Sequence, residues 1–325
     1  VTRRPGPKRP ARCGLWAMGS SRGVKAAMVA LRYCVCFRRA GTIAAMNQQP
    51  AAPALTVSLV LHHSPLPRLT ATLRSLLVTV DAARSAGVLG EATLWVVDNS
   101  VDAAYASAAR EAVDALLPAA GQLAYRFLPL EENRGFGAGH NRVLLDTDSD
   151  YHLVLNPDVE LAEDALVAGL SLLARDPGIA ALNPYAEAAD GRREYLCKRH
   201  PSPAVLLLRG FAPAWLRRRA ARRLAHYEAR DLCDGTEVAD VPLLSGCFLL
   251  LRGRPARLCR GFDTGYFMYF EDFDLSRRLR PQGRLVYAPQ VRIVHHGGYA
   301  ANKGWRHVGW FLRSGLRFFR QHGLR

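Results

Sequence analysis

The sequence predicts an α/β fold: a mostly parallel, Rossmann-like sheet flanked by helices. Three observations carry this prediction. Apolar, strand-like segments alternate with helical patterns between residues 55 and 182, these segments are continuously apolar, and polar side chains follow them directly. Continuously apolar strands indicate a sheet covered on both faces. Ligands of such sheets bind at the carboxyl ends of the strands, so the functional residues are expected there.

The first half of the chain gives five strands and four helices in alternation. The predicted strands are 55–62, 92–97, 123–128, 151–155 and 179–182. The predicted helices are 67–87, 103–117, a helix that runs through Leu144 after a glycine turn at 135–139, and 162–175. The second half is less regular. Its predicted elements are a basic stretch at 206–227, strands at 237–241, 247–252, 285–287 and 291–294, and helices at 271–280 and 303–322.

No internal repeat or long linker divides residues 51–325, so we expect one domain there. It consists of a donor half at about 51–185, an acceptor half at about 186–300 and a C-terminal amphipathic helix at about 303–322. Residues 1–50 are expected to be a disordered or wrongly assigned N-terminal extension, because Met46 opens a polar start that leads straight into a strand.

The charge, the cysteine count and the apolar runs of the sequence narrow the class of binding partner and of site. The net charge of +16 indicates an anionic partner, such as a phosphorylated substrate or an acidic membrane surface. No recognised nucleic-acid-binding motif accompanies the basic residues, so no nucleic-acid partner is expected. Seven cysteines without a C-x-x-C spacing argue against a disulfide framework and a structural zinc site. No apolar run reaches the roughly 18 residues that span a bilayer.

Polar residues follow three successive predicted strands. Carboxylates here can bind a base or ribose, a glycine turn lets backbone N–H groups approach a pyrophosphate, and an aspartate is a hard ligand for a divalent cation. Each motif alone is also ordinary turn or capping chemistry, and the turn G-F-G-A-G also suits a nicotinamide-dependent oxidoreductase, although it follows the third strand. The candidates are Asp98, Asn99, Asn133, Arg134, Gly135, Gly137, Asn141, Asn156 and Asp158.

Two further clusters lie in the second half. An aromatic run delivers Glu271, Asp272 and Asp274 into the first turn of a predicted helix. Acids there can simply cap the helix, but aromatic surroundings also raise a carboxyl pKa towards that of a general base. Farther on, His295 and His296 follow a short strand and precede two glycines, which suits a metal ligand.

These motifs, in this order, resemble glycosyltransferase family 2, and within it the rhamnosyltransferase-like members that build cell-surface polysaccharides and O-antigens. The resemblance runs from about residue 55 to the C-terminus through LWVVDNSVD, ENRGFGAGHN, YHLVLNPDVEL, GFDTGYFMYFEDFDLSRRLR and IVHHGG. It implies a GT-A fold. One departure is His62-His63-Ser64, which stands where a Thr-Tyr-Asn type sequence is usual.

The resemblance also implies residue roles. Asp98 contacts the nucleoside, and residues 133–141 line the diphosphate. Asp158 matches the last acid of a metal-binding D-x-D element whose first acid is replaced here by Asn156. His295 matches a histidine that binds the metal or diphosphate, and Asp272 matches the catalytic base.

The implied function is an inverting, Mg²⁺- or Mn²⁺-dependent transfer of L-rhamnose from dTDP-L-rhamnose to a glycan or polyprenyl-linked acceptor. A UDP- or GDP-sugar donor stays open as an alternative, and so does an inactive nucleotide-sugar-binding or scaffold protein. The implied location is the cytoplasm. There, the C-terminal helix either packs on the core or contacts the inner face of the plasma membrane peripherally.

Overall fold

The computed structural model describes residues 52–117, 123–297 and 305–324. The prediction about residues 1–50 lies outside the described residues. Within the described residues, ten strands form a single mixed sheet. They are β1 (Leu55–Leu61), β2 (Ala92–Asp98), β3 (Ala124–Pro129), β4 (Tyr151–Leu155), β5 (Val159–Leu161), β6 (Ile179–Ala188), β7 (Arg193–Glu194), β8 (Ala239–Asp240), β9 (Phe248–Arg252) and β10 (Arg284–His295).

Helices flank this sheet, and a 3-10 turn (Arg280–Gln282) precedes β10. The helices are α1 (Leu66–Ser85), α2 (Ala103–Asp114), α3 (Phe136–Leu144), α4 (Ala165–Arg175), α5 (Pro203–Phe211), α6 (Ala214–Arg219), α7 (Ala221–Tyr227), α8 (Arg230–Cys233), α9 (Gly253–Leu258), α10 (Glu271–Leu279) and α11 (Trp305–His322).

The strand order is β3-β2-β1-β4-β9-β6-β10-β5, with β7 beside β6 and β8 beside β10. Strands β3, β2, β1 and β4 are parallel, as their continuous apolar sequences predict. All seven residues of β1 are buried. The predicted α/β sheet with flanking helices is therefore confirmed, and the carboxyl ends of these strands share one edge.

Helix α1 illustrates how periodicity builds this core. Its buried leucines and valine recur at helical spacing, at Leu69, Leu73, Leu76 and Val80, and pack on the parallel strands. Pro67 lies in the first turn, where its missing N–H costs nothing. Each fully buried leucine stabilises the fold by about 2 kcal/mol.

The second half departs from simple alternation. Strand β9 runs antiparallel to both β4 and β6, and β10 is parallel to β6. The two short strands predicted at 285–287 and 291–294 are one strand, whose register shifts between Ala288 and Arg292. Pro289 lies inside that irregularity, where proline removes a backbone donor from the ladder. Strands β5 and β7 and helices α8 and α9 were not predicted.

The glycine turn predicted at 135–139 is wrong beyond its first residue, because α3 begins at Phe136. Gly137 and Gly139 lie inside this helix and allow it to approach its neighbours closely. A Cβ on Gly139 would lie 3.0 Å from the Val60 side chain, and one on Gly137 would lie 2.7 Å from the Phe262 Cβ. These two glycines therefore serve helix packing.

Candidate active site

The ends of β1, β2 and β3 are joined by a side-chain network. Asn99 donates from Nδ2 to Asn133 Oδ1 at 2.9 Å and to the Gly135 carbonyl at 3.2 Å. His62, at the departure from the family pattern, contacts the Asn99 carbonyl at 3.3 Å and Asn133 Nδ2 at 3.4 Å. Asn99 Oδ1 is buried without a hydrogen-bond partner among the described residues. This oxygen is a hydrogen-bond acceptor that no described residue uses.

Asp98 lies beside this network at the end of β2. The residue is 2% exposed, and its carboxylate accepts a hydrogen bond from the Ser100 N–H at 3.0 Å. The structure thus brings Asp98, Asn99 and Asn133 together, as the sequence predicts. Arg134 is exposed and pairs with Glu132 at the rim.

Position 135 requires a glycine. Its φ of 97° and ψ of 177° lie in a region that other residues avoid. A Cβ there would lie 2.0 Å from the Phe267 carbonyl oxygen, which accepts a hydrogen bond from the Phe136 N–H at 3.1 Å. This close approach joins the start of α3 to the aromatic segment that leads into α10.

Asp158 and His295 face each other across the antiparallel pair β5–β10. His295 Nε2 lies 3.8 Å from Asp158 Oδ1, and that oxygen is buried without a hydrogen-bond partner among the described residues. Glu194 Oε2 lies 2.8 Å from His295 Nδ1. A carboxylate there holds the proton on Nδ1, so Nε2 is the unprotonated ring nitrogen, which is the form that can bind a metal. Sequence reasoning missed Glu194.

The second histidine is already engaged. His296 Nδ1 lies 2.9 Å from Arg68 Nη1, and its Nε2 lies 2.6 Å from Glu160 Oε1. The two neighbours fix the ring between α1 and β5. His296 therefore has a structural role, and the metal prediction is carried by His295.

The Asp158–His295 pair fits a divalent cation that is shared with a substrate. The unpartnered Asp158 oxygen and the Glu194-oriented imidazole are an oxygen and a nitrogen ligand of the kind that Mg²⁺ or Mn²⁺ accepts. Within the described part of the chain, no three His, Cys, Asp or Glu side chains cluster to hold a metal. Phosphate oxygens and water would complete the coordination, as is usual for Mg²⁺ at diphosphates.

Asp272 lies in the first turn of α10, where backbone N–H groups converge on it. Its Oδ2 accepts from the Gly246 N–H at 3.1 Å and its Oδ1 from the Phe273 N–H at 2.9 Å. Desolvation of the carboxyl nevertheless raises its pKa to about 6. Tyr269 and Phe270, just before the helix, both have left-handed backbone angles, φ 70° and 66°. Such strain in non-glycine residues is typical of functional segments.

Glu271 is the neighbour of Asp272 and is 6% exposed. Desolvation and the adjacent Asp272 raise the pKa of Glu271 to about 8. Its Oε2 is buried without a hydrogen-bond partner among the described residues. At neutral pH, Glu271 therefore holds its proton while Asp272 is mostly ionised.

A short segment before β9 links Asp272 to the Asn156–Asp158 element. Gly246 donates its N–H to Asp272, and the next carbonyl, of Cys247, accepts from the Asn156 N–H at 2.8 Å. Asn183 holds this segment. It donates to the Ser245 carbonyl at 3.0 Å and accepts from the Ser245 N–H at 2.7 Å. Asn183 is a polar residue within the otherwise apolar start of strand β6, and this feature of the sequence could have identified it as a site residue.

Other predicted residues are engaged elsewhere. Asn141 is buried and clamps both backbone groups of Phe262, donating at 2.8 Å and accepting at 2.9 Å. Its side chain is thereby committed to structure. Asp274 is also structural, because it pairs with Arg278 at 2.7 Å and with His322 at 2.8 Å, which ties α11 to α10.

Comparisons with known proteins fit this arrangement. No protein-family model matches the chain. An N-acetylglucosaminyl-diphospho-decaprenol L-rhamnosyltransferase of Mycobacterium tuberculosis is 31% identical over 197 residues, which cover 55% of this chain and 61% of that protein. Rhamnosyltransferase WbbL of Escherichia coli is 26% identical over 237 residues, which cover 68% of this chain and 84% of that protein. The chain thus spans about three fifths of the mycobacterial relative's length.

Solved structures agree at the level of the fold. A mannosyltransferase of Pyrobaculum calidifontis in complex with GDP-Man and Mn²⁺ superposes with a TM-score of 0.53 and 17% identity, covering 90% of this chain and 74% of that one. GalNAc-T7 with UDP, GalNAc and Mn²⁺ gives a TM-score of 0.51 and 14% identity, covering 76% of this chain and 44% of that one.

The mixed sheet, with its polar strand ends and its acid-bearing helix α10, therefore has the GT-A fold of these glycosyltransferase structures. The resemblance to rhamnosyltransferases that the sequence predicts is confirmed, because the curated relatives are rhamnosyltransferases.

Proposed function

We propose that this chain is an inverting, metal-dependent glycosyltransferase that moves a sugar from a nucleotide-diphosphate donor to a hydroxyl of a lipid-linked glycan. One observation carries the proposal. The Gly246 N–H donates to the general-base candidate Asp272. The carbonyl of the next residue, Cys247, accepts from the N–H of Asn156, which begins the Asn156–Asp158 element. A base and a diphosphate-binding element held side by side suit a single displacement at the anomeric carbon.

In this mechanism, Asp272 accepts the proton of the acceptor hydroxyl while the hydroxyl oxygen attacks the anomeric carbon. The bond from that carbon to the diphosphate oxygen breaks, the nucleoside diphosphate leaves with the bonding electrons, and the configuration inverts. The N–H groups of Gly246 and Phe273 fix the carboxylate. A base with a pKa of about 6 is ionised at neutral pH and still basic enough to help.

Asp158 and His295 would hold Mg²⁺ or Mn²⁺, with Glu194 orienting the imidazole. When bound, the ion stabilises the negative charge of the departing diphosphate. The polar strand ends bind the remainder of the donor: Asp98 the nucleoside, and Asn99 with Asn133 the diphosphate.

The donor that we propose is dTDP-L-rhamnose. Both curated relatives are rhamnosyltransferases, which supports rhamnose, whereas the solved neighbours hold UDP or GDP-Man and keep other nucleotides as the alternative to test. The acceptor that we propose is a polyprenyl-diphosphate-linked sugar, because the mycobacterial relative's name specifies one.

Such an acceptor requires access to a membrane, and α11 offers a surface for it. Trp305, Leu312 and Leu316 lie on one face of this helix and are 89%, 60% and 53% exposed. Arginines at 306, 313 and 320 run beside this face. An apolar stripe flanked by arginines suits an anionic lipid interface, so we propose peripheral attachment to the cytoplasmic side of the membrane. Among the described helices, none is long and apolar enough to cross a bilayer.

The test of the function is transfer itself. Purified protein is incubated with dTDP-L-rhamnose, UDP- or GDP-sugars, Mn²⁺ or Mg²⁺ and a short-chain prenyl-diphospho-N-acetylglucosamine. We expect one donor to give product with inverted anomeric configuration by NMR, and EDTA to abolish the reaction. Donor binding without transfer to any acceptor favours an inactive nucleotide-sugar-binding protein, the reading that Asn156 in place of an acid motivates.

The membrane proposal has a separate test. Anionic vesicles should sediment the wild-type protein, and a Leu312→Asp/Leu316→Asp variant should remain in the supernatant. Glu163→Ala, an exposed change that is distant from α11 in the sequence, serves as the control. Equal sedimentation of all three proteins contradicts the α11 assignment.

A further inference from the structure

A groove of about 720 Å³ lies between α3, the segment 264–267 and α11. This volume is in the range of small-molecule sites, roughly 300–1,000 Å³. Asp158, His295 and Asp272 do not line it, whereas Arg134 and Asn141, two of the residues predicted to bind the donor, do.

The groove is basic on both walls. Arg142 lies on the α3 wall and Arg313 on the α11 wall, and both are exposed. Neither makes an ion pair with another described residue, whereas Arg134 at one end pairs with Glu132. Of the described residues that line the groove, only Asp146 is acidic. Two unpaired guanidinium groups in one cavity suit a phosphate or diphosphate, which arginine binds through paired N–H groups.

Apolar surface accompanies this charge. The Phe267 and Trp310 rings both line the groove and lie 4.7 Å apart, centroid to centroid. Arg313 directly follows Leu312, one of the exposed apolar residues of α11. Helix α11 therefore offers both a guanidinium group and an apolar surface to a ligand that has a charged head and an apolar portion.

The groove adjoins the base through a shared wall. Phe136 opens α3 and donates its N–H to Phe267 in the groove wall. On its other side, a Cβ at Gly246 would lie 3.0 Å from the Phe136 ring and 3.6 Å from the Asp272 Cβ. Phe136 thus contacts the groove wall through its backbone and the Gly246–Asp272 turn through its ring, which places the groove next to that turn.

We propose that this groove binds the diphosphate of the lipid-linked acceptor, with Arg142 and Arg313 as its clamp. The identity of the acceptor rests on the proposed function, while the groove as a diphosphate site rests on its own residues. The clamp places the acceptor sugar towards Asp272 and the lipid towards the exposed face of α11.

The experiment measures binding of two probes, farnesyl diphosphate and inorganic pyrophosphate, by calorimetry in EDTA, so that the metal-dependent donor crevice does not contribute. Arg142→Gln and Arg313→Gln are each expected to weaken farnesyl diphosphate binding by at least about tenfold, since charge-assisted hydrogen bonds are lost. Arg74→Gln, an exposed change on α1 outside the groove, is the matched control and should bind like wild type. Steady-state kinetics should show the acceptor KM raised and the donor KM unchanged.

Unchanged farnesyl diphosphate binding in the Arg142→Gln/Arg313→Gln double variant overturns the proposal, and so does the absence of binding to wild type. Equal affinity for inorganic pyrophosphate retains an anion site but overturns the lipid-linked source. Probe binding that depends on the two arginines, in a protein that transfers no sugar, supports the groove while the proposed function fails.

Discussion

Replacement of Asp272 by asparagine should lower kcat/KM by about 10²- to 10⁴-fold, the usual contribution of a general base. Glu271→Gln should keep most of the activity. Desolvation raises the pKa of Asp272 to about 6, and desolvation with the adjacent Asp272 raises that of Glu271 to about 8. Glutamine therefore copies the protonated glutamate that is present at pH 7, whereas asparagine removes the base.

The pH profile follows from the same values. A base with a pKa of about 6 is about nine-tenths ionised at pH 7 and about one-tenth ionised at pH 5, so kcat/KM should fall about tenfold between these values. Because Glu271 is still protonated while Asp272 titrates, Glu271→Gln should leave this acid limb in place.

The assay follows release of the nucleoside diphosphate from pH 5 to pH 9, and circular dichroism verifies that each variant is folded. An Asp272→Asn protein that retains more than about one-tenth of the wild-type kcat/KM refutes the assignment of the base. A Glu271→Gln protein that loses activity as fully as Asp272→Asn refutes the assignment of the proton between the two acids.

Three further outcomes are expected. Glu194→Gln should weaken Mn²⁺ binding in the presence of donor by about 10- to 100-fold, because His295 loses the carboxylate that orients it; unchanged titrations contradict this role. Gly135→Ala should lower the free energy of unfolding by at least about 2 kcal/mol, because its Cβ meets the Phe267 carbonyl at a glycine-only φ; urea unfolding measures the loss, and an equal midpoint contradicts it. The raised pKa of Glu271 means that the folded state binds a proton that the unfolded state releases between pH 4.5 and 8. As the pH rises through this window, the free energy of unfolding of the wild type should therefore fall by up to about 1.4 kcal/mol per pH unit relative to Glu271→Gln. Parallel plots of the free energy of unfolding against pH for the two proteins contradict this.

The parallel half of the sheet was predictable because its signals are local. Continuously apolar segments such as β1 and β4 admit one interpretation when helices alternate with them. Position along the chain then placed Asp98, Asn99 and Asn133 at one edge. The antiparallel half lacked this regularity, because β9 inserts between β4 and β6 from a distant part of the sequence.

The supporting residues of the site were harder to predict because they act across long separations. Glu194 meets His295 from 101 residues away, through the two-residue strand β7. Nothing near Glu194 in the sequence signals that contact. The glycines after Asn133 led to a wrong prediction for a different reason. Their spacing is typical of a phosphate-binding turn, but most of them permit close packing of α3.

The central claim, a metal-dependent donor site at Asp158, is tested most directly by calorimetric titration of dTDP-L-rhamnose with Mn²⁺. Wild type, Asp158→Ala and the exposed control Glu163→Ala are compared in the same buffer. We predict that wild type and Glu163→Ala bind the donor only when Mn²⁺ is present, and that Asp158→Ala does not bind it. Equal binding by folded Asp158→Ala, or wild-type binding that is unaffected by EDTA, would contradict the account.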